Sequence, residues 1–100
     1  MPKAVEKKSS NKENNKIVKD PEIMGGSARI EGTRIRVSDI AVDYEYRDWS
    51  PEEIADQYPT ISLSDVYTAL EYHHRNKKEI REEIQEREQK VKEKRKVEDF

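Results

Sequence analysis

The sequence predicts a mainly helical fold with a small β-hairpin: a helix-turn-helix three-helix bundle with an N-terminal β element and a long charged C-terminal helix. Three stretches carry that prediction. In residues 28–37 (ARIEGTRIRV) apolar and polar side chains alternate on both sides of a turn. Ser50-Pro51-Glu52-Glu53 is a capping box entered through proline. From Asn76 onward the chain is nearly all Lys, Arg, Glu and Gln, with no Gly or Pro after Pro59 to stop a helix.

Composition limits how much of the chain can be packed. Only 32% is apolar and 42% is charged, with a mean hydropathy of -1.20, so part of it must be solvated arm or tail. The net charge of -2 conceals segregation. Residues 1–19 hold six lysines against two glutamates, and residues 20–49 four arginines against seven acids. Residues 50–72 hold five acids and no cation; residues 73–100 hold ten cations and eight acids. Hence we divide the chain into a disordered basic arm (1–16), a folded domain (17–76) and a charged helical extension (77–100). Without cysteine there is neither a disulfide framework nor thiolate chemistry. The first residues lack the apolar core of a signal peptide, and no stretch approaches membrane-spanning length. A soluble cytoplasmic protein is expected.

The elements follow in order. Ile17-Val18 reads as a short edge strand, Asp20-Pro21 and Gly25-Gly26 as turns before the hairpin. Gly25-Gly26 lacks the spacing and the Lys-Ser/Thr pair of a phosphate loop. Gly32 supplies the positive φ of the hairpin turn. Period-2 alternation puts Ile30, Ile35 and Val37 on one face and Arg29, Arg34 and Arg36 on the other. Ser38 is the expected cap of a first helix over residues 39–47, closed by Asp48, which tolerates the left-handed conformation. Trp49 can staple onto Ile54 as the second helix, 51–58, begins; Tyr58-Pro59 ends it. Ser62 with Asp65 caps a third helix from about Leu63, and two short helices joined by a brief turn read as a helix-turn-helix. Nothing stops the third helix, which should run into the extension. There, Lys78–Glu82, Glu83–Arg87, Glu86–Lys90 and Glu88–Lys92 are i,i+4 ion pairs, and Ile80, Ile84 and Val91 form a seam too sparse for a stable coiled coil alone. Core candidates are Ile30, Ile35, Val37, Ile40, Tyr44, Trp49, Ile54, Tyr58, Ile61, Leu63, Val66 and Leu70.

The runs IVKDPEIMGGSARIEGTRIRVSDI, WSPEEIADQYP and ISLSDVYTALEYH resemble the prokaryotic domain-of-unknown-function family DUF433 over about residues 17–74. Asp-Pro, Gly-Gly, Gly-Thr-Arg-Ile, Ser-Pro-Glu-Glu-Ile and Tyr-Pro occur in order. The resemblance implies a homeodomain-like bundle with an N-terminal β element, often dimeric. It also implies a VapB-type antitoxin role: neutralising a PIN-like ribonuclease toxin, with autoregulation of the operon by DNA binding. Asp48 stands where the family usually has Gly. The basic arm and the extension lie outside the family's pattern.

Chemistry narrows the function classes. Neighbouring His73 and His74 point about 100° apart on a helix and cannot clamp one metal ion. No carboxylate sits beside a partnered nucleophile, so we expect no enzyme, no metal and no cofactor. A recognition helix beginning Leu63, Ser64, Asp65 is electrostatically wrong for a phosphate-lined groove, which leaves Arg29, Arg34 and Arg36 on the hairpin, plus the Lys-rich arm, as the DNA-binding candidates. About sixty ordered residues bury little surface, so a homodimer through the β element is expected. Along the extension, Arg81, Ile84, Arg87 and Val91 are the toxin-binding candidates. A guanidinium from Arg81, Arg87 or Arg95 suits an acidic metal-binding site in a PIN-like partner. The alternative function is a stand-alone DNA-binding transcriptional regulator without a toxin partner.

Overall fold

A computed structural model describes residues 16–98, with side chains to residue 93. The arm expected over 1–16 lies, Lys16 apart, outside the described residues. Among the described residues, four α-helices and one two-stranded antiparallel sheet make up the fold.

Strand β1 (Ile17–Val18) pairs with β2 (Arg29–Ile30), Ile17 opposite Ile30. The link between them folds tightly. Asp20 Oδ1 accepts the Glu22 N–H at 3.0 Å, and Met24–Gly26 make one 3-10 turn with Gly25 and Gly26 at positive φ. The hairpin around Gly32 (φ 79°) is present but shorter than its alternation suggests. Ile30 N–H reaches the Ile35 carbonyl at 2.9 Å and Val37 N–H the Ala28 carbonyl at 2.9 Å, with a single bridge between Arg29 and Arg36. Then the chain turns into a helix. Both residues of β2 are buried, so strict alternation fails and Arg29 lies inside the fold. A strand covered on both sides has no solvent face to give its arginine.

Helix α1 (Val37–Glu45) starts and ends two residues before the expected 39–47. Its cap comes from the other direction. The Asp39 carboxylate accepts the Arg36 N–H at 3.0 Å, while Ser38, expected to cap, is buried and donates its hydroxyl to Glu83. Asp48 adopts φ 62°, the left-handed turn that a short polar side chain tolerates. Helix α2 (Pro51–Gln57) carries the expected box: Ser50 N–H to Glu53 Oε1 at 2.8 Å, Glu53 N–H to Ser50 Oγ at 3.1 Å. Trp49 packs on the core, under the Arg47 guanidinium at 5.3 Å. The Tyr58 hydroxyl, ending α2, donates to buried Asp43 at 2.7 Å and ties α2 to α1.

Helix α3 (Leu63–Arg75) opens with the reciprocal Ser62–Asp65 box, at 3.0 and 3.1 Å. It does not continue into the extension. Asn76, at φ -130° and ψ 46°, breaks it. The Asn76 side-chain amide and N–H both return to the Tyr72 carbonyl, at 3.0 and 2.9 Å, while its own carbonyl accepts from Ile80 at 3.1 Å. A fourth helix, α4 (Lys77–Glu98), therefore begins anew and folds back on α1.

Ile30, Val37, Ile40, Ile54, Val66 and Ile80 are fully buried at the centre, with Ile84 beside them. Two expected core residues, Tyr44 and Leu63, are exposed instead, at 45% and 37%. Ile80 and Ile84 take their place from a stretch whose charge hid them.

Candidate protein-interaction surface

Each anchor of α4 sits on a short rail. Ile80 and Ile84, four residues apart, enter the core from one stripe. Beside them Glu79, Glu83 and Arg87 repeat the same interval: Glu79 holds α3 and the chain just after β1, while Glu83 and Arg87 both hold α1. Glu79 accepts from the Tyr72 hydroxyl at 3.1 Å and pairs with Lys19 at 2.9 Å, linking α4 to α3 and to the residue that follows β1. Glu83 takes the Ser38 hydroxyl, and Arg87 Nη1 reaches Asp39 Oδ1 at 3.0 Å. Burial by itself raises the Asp39 carboxyl, but hydrogen bonds and charge from Arg36, joined by Arg87, outweigh it and hold the carboxyl below its ordinary range. Lys19 is held above its ordinary value by Glu79 and Tyr72.

Beyond Arg87 the helix leaves the domain. Where it departs, Val42, Tyr46, Ile84 and Val91 line an apolar notch of ≈ 470 Å³, rimmed by Arg87, Glu88 and Lys92. Tyr46 is 62% exposed and Val91 49%. Ten more residues of helix, 89–98, extend about 15 Å from there. They carry five cations, Lys90, Lys92, Lys94, Arg95 and Lys96, against Glu93 and Glu98.

The expected toxin-binding residues are therefore divided. Arg81 is exposed and Val91 lines the notch; Ile84 is a core residue and Arg87 is engaged with Asp39. Arg95 lies beyond the described side chains. Nor do the three hairpin arginines form one basic face. Arg29 is 9% exposed and donates Nη1 to the Thr33 carbonyl at 3.0 Å. Arg36 holds Asp39 with Nε at 3.2 Å and Nη2 at 3.1 Å. Arg34 alone of the three is exposed, its guanidinium 3.8 Å from the Met24 sulfur. His73 is buried, with Nε2 2.9 Å from Glu45 Oε2, whereas His74 faces solvent. Among the described residues no three His, Asp or Glu side chains gather as a metal site. Val42 and Tyr46 escaped sequence reading because an apolar pair at the end of a short helix looks the same whether it is covered or bare.

The β element, the two capping boxes and the Asp48 turn are all present. A family described as "Protein of unknown function (DUF433)" matches residues 17–73. The chain belongs to DUF433. A solved structure of a DUF433 member protein from Anabaena variabilis is similar to it, with a TM-score of 0.63 and 30% identity. That likeness covers 83% of this chain and 79% of the other, more than the family segment alone. Curated proteins give no match. Among the described residues of this DUF433 chain, no helix is long and apolar enough to cross a membrane.

Proposed function

We propose that this DUF433 protein is an antitoxin-type interaction protein that binds and neutralises a PIN-like ribonuclease through the far end of α4 and the notch beside it. The observation that carries the reading is the departure of α4 at Arg87. A basic helical end leaves the core immediately next to an unfilled apolar notch, so one partner can meet both. Apolar contact at Tyr46 and Val91 supplies burial, and the cations beyond supply attraction to a carboxylate-lined site. In this reading α2 and α3 are a helix-turn-helix type pair used as scaffold. Operator binding, if it accompanies the role, has only Arg34 of the hairpin arginines to draw on. That favours the antitoxin reading over the stand-alone regulator.

The test is truncation after Glu88, assayed by calorimetry against a PIN-like ribonuclease. Binding should be lost while the thermal midpoint stays close to that of the full chain. Full-strength binding by the truncated chain would refute the reading. Removing the whole of 77–100 is unsuitable, since Ile80 and Ile84 would leave the core with it.

A further inference from the structure

A second concavity, of ≈ 450 Å³, opens between α1 and α3. Its walls are aromatic and apolar. Tyr44 comes from α1 and Tyr67 from α3, 45% and 51% exposed, with half-buried Leu70 and Pro51 beside them. Neither tyrosine hydroxyl is bonded within the described chain. His73 forms the buried side: the residue is 4% exposed, Nε2 is given to Glu45, and Nδ1 has no partner among the described residues. The charges around the cavity are unevenly met. Glu45 is engaged by His73, and Glu71 by Arg75 at 3.3 Å, each through Oε2. Lys77 and His74 also line the cavity, both exposed, and neither has an acidic partner among the described residues. Small ligands fill clefts of this kind, where aromatic walls carry a few polar groups that fix orientation.

We propose that this cavity binds a mononucleotide, its base stacked on Tyr67 and Tyr44 and its phosphate held by Lys77 and His74. Each part of a nucleotide has its counterpart in the lining. The ring faces of two tyrosines from different helices give a planar base a place to stack. Glu45 and Glu71 each keep Oε1 open to accept from a ring N–H or an exocyclic amine. The Lys77 ammonium, which no carboxylate of the described chain meets, is left for the phosphate. The spacing agrees. Tyr67 and His74 lie on one side of α3 two turns apart, about 10 Å along the axis. A base with its ribose phosphate spans that length, whereas a single-ring acid does not. A purely cationic ligand fits less well, because both carboxylates already have a partner and Lys77 would oppose it.

Calorimetric titration of the full chain with adenosine, guanosine, cytidine and uridine monophosphates, with the free nucleosides and with inorganic phosphate, tests this. At least one mononucleotide should bind with a dissociation constant below about 1 mM. Tyr67→Ala should weaken that nucleotide and its nucleoside alike, by roughly tenfold. Lys77→Glu should weaken the nucleotide by roughly tenfold and leave the nucleoside unchanged. Both side chains are exposed, so the thermal midpoint should hold in each variant. Added salt should weaken the nucleotide more than the nucleoside. Val91→Asp should leave nucleotide binding intact, since none of this depends on the role given to the end of α4. In amide spectra, shifts on titration should gather at Tyr44, Glu45 and residues 67–77. The proposal is overturned if no mononucleotide binds, or if phosphate alone binds as tightly as the nucleotide. Binding indifferent to both Tyr67→Ala and Lys77→Glu overturns it too, as does binding of a single-stranded oligonucleotide without any mononucleotide.

Discussion

The two halves of α4 are made of nearly the same residues and have opposite fates. Residues 77–88 contain four cations and five acids, yet they close the core; residues 89–98 contain five cations and two acids, and they project from it. What separates them is two isoleucines. Ile80 and Ile84 lie four apart on one stripe and are 0% and 6% exposed, whereas Val91, the next apolar residue, is 49% exposed. Around the pair, Glu79 finds a partner on α3, and Glu83 and Arg87 find theirs on α1. A helix rich in charge becomes part of a core when a few apolar residues keep register and the flanking charges are met. Overall polarity does not decide it.

The largest effect should come from the pair itself. Ile80→Ala should cost about 2–5 kcal/mol in urea unfolding, in the range for a fully buried aliphatic side chain. A cost near zero would mean that α4 is only laid against the domain. Next comes the Asp39 node, where one carboxylate caps α1 and holds both Arg36 and Arg87. Asp39→Asn should cost roughly 1–2 kcal/mol at neutral pH, the loss of a cap plus charge-assisted bonds. Its carboxyl lies below the unfolded value, so its contribution is present above that value and disappears as pH falls through the folded one. The unaltered chain should therefore lose stability below about pH 4, and Asp39→Asn should lose less over the same interval. Truncation after Glu88 should have the smallest effect on stability, since Val91, the apolar residue it removes from the notch, is already 49% exposed.

The sequence was most readable where a local rule decides the outcome. Both capping boxes, the positive φ of Gly32 and the left-handed Asp48 need only their own neighbours. Long-range contact explains the misses. Ser38 is a good cap by type, but Glu83, forty-five residues away in sequence, takes its hydroxyl, and Asp39 does the capping. Arg29 obeys the alternation of its strand only if one side of that strand is open, and neither is. The break at Asn76 had a weak local sign, since Asn is a recognised helix-ending residue, but without Gly or Pro the charged run read as continuous. Ile80 and Ile84 did keep a visible interval; the charge around them made a thin seam look like a solvated face. Of the surfaces, the end of α4 was legible as charge, while the notch and the exposure of Tyr44, Leu63 and Tyr67 were not. Whether Tyr44, Tyr46, Leu63 and Tyr67 are covered depends on packing that periodicity does not contain.

Amide hydrogen exchange along α4, read residue by residue, tests the contrast most directly. Protection in residues 80–87 should approach that of α1 and α3, because those amides are released only when the core opens. Past Glu88 it should fall steeply, through local fraying of an unsupported helix. Uniform rapid exchange from Lys77 onward would contradict the account, and so would protection that continues undiminished beyond Val91.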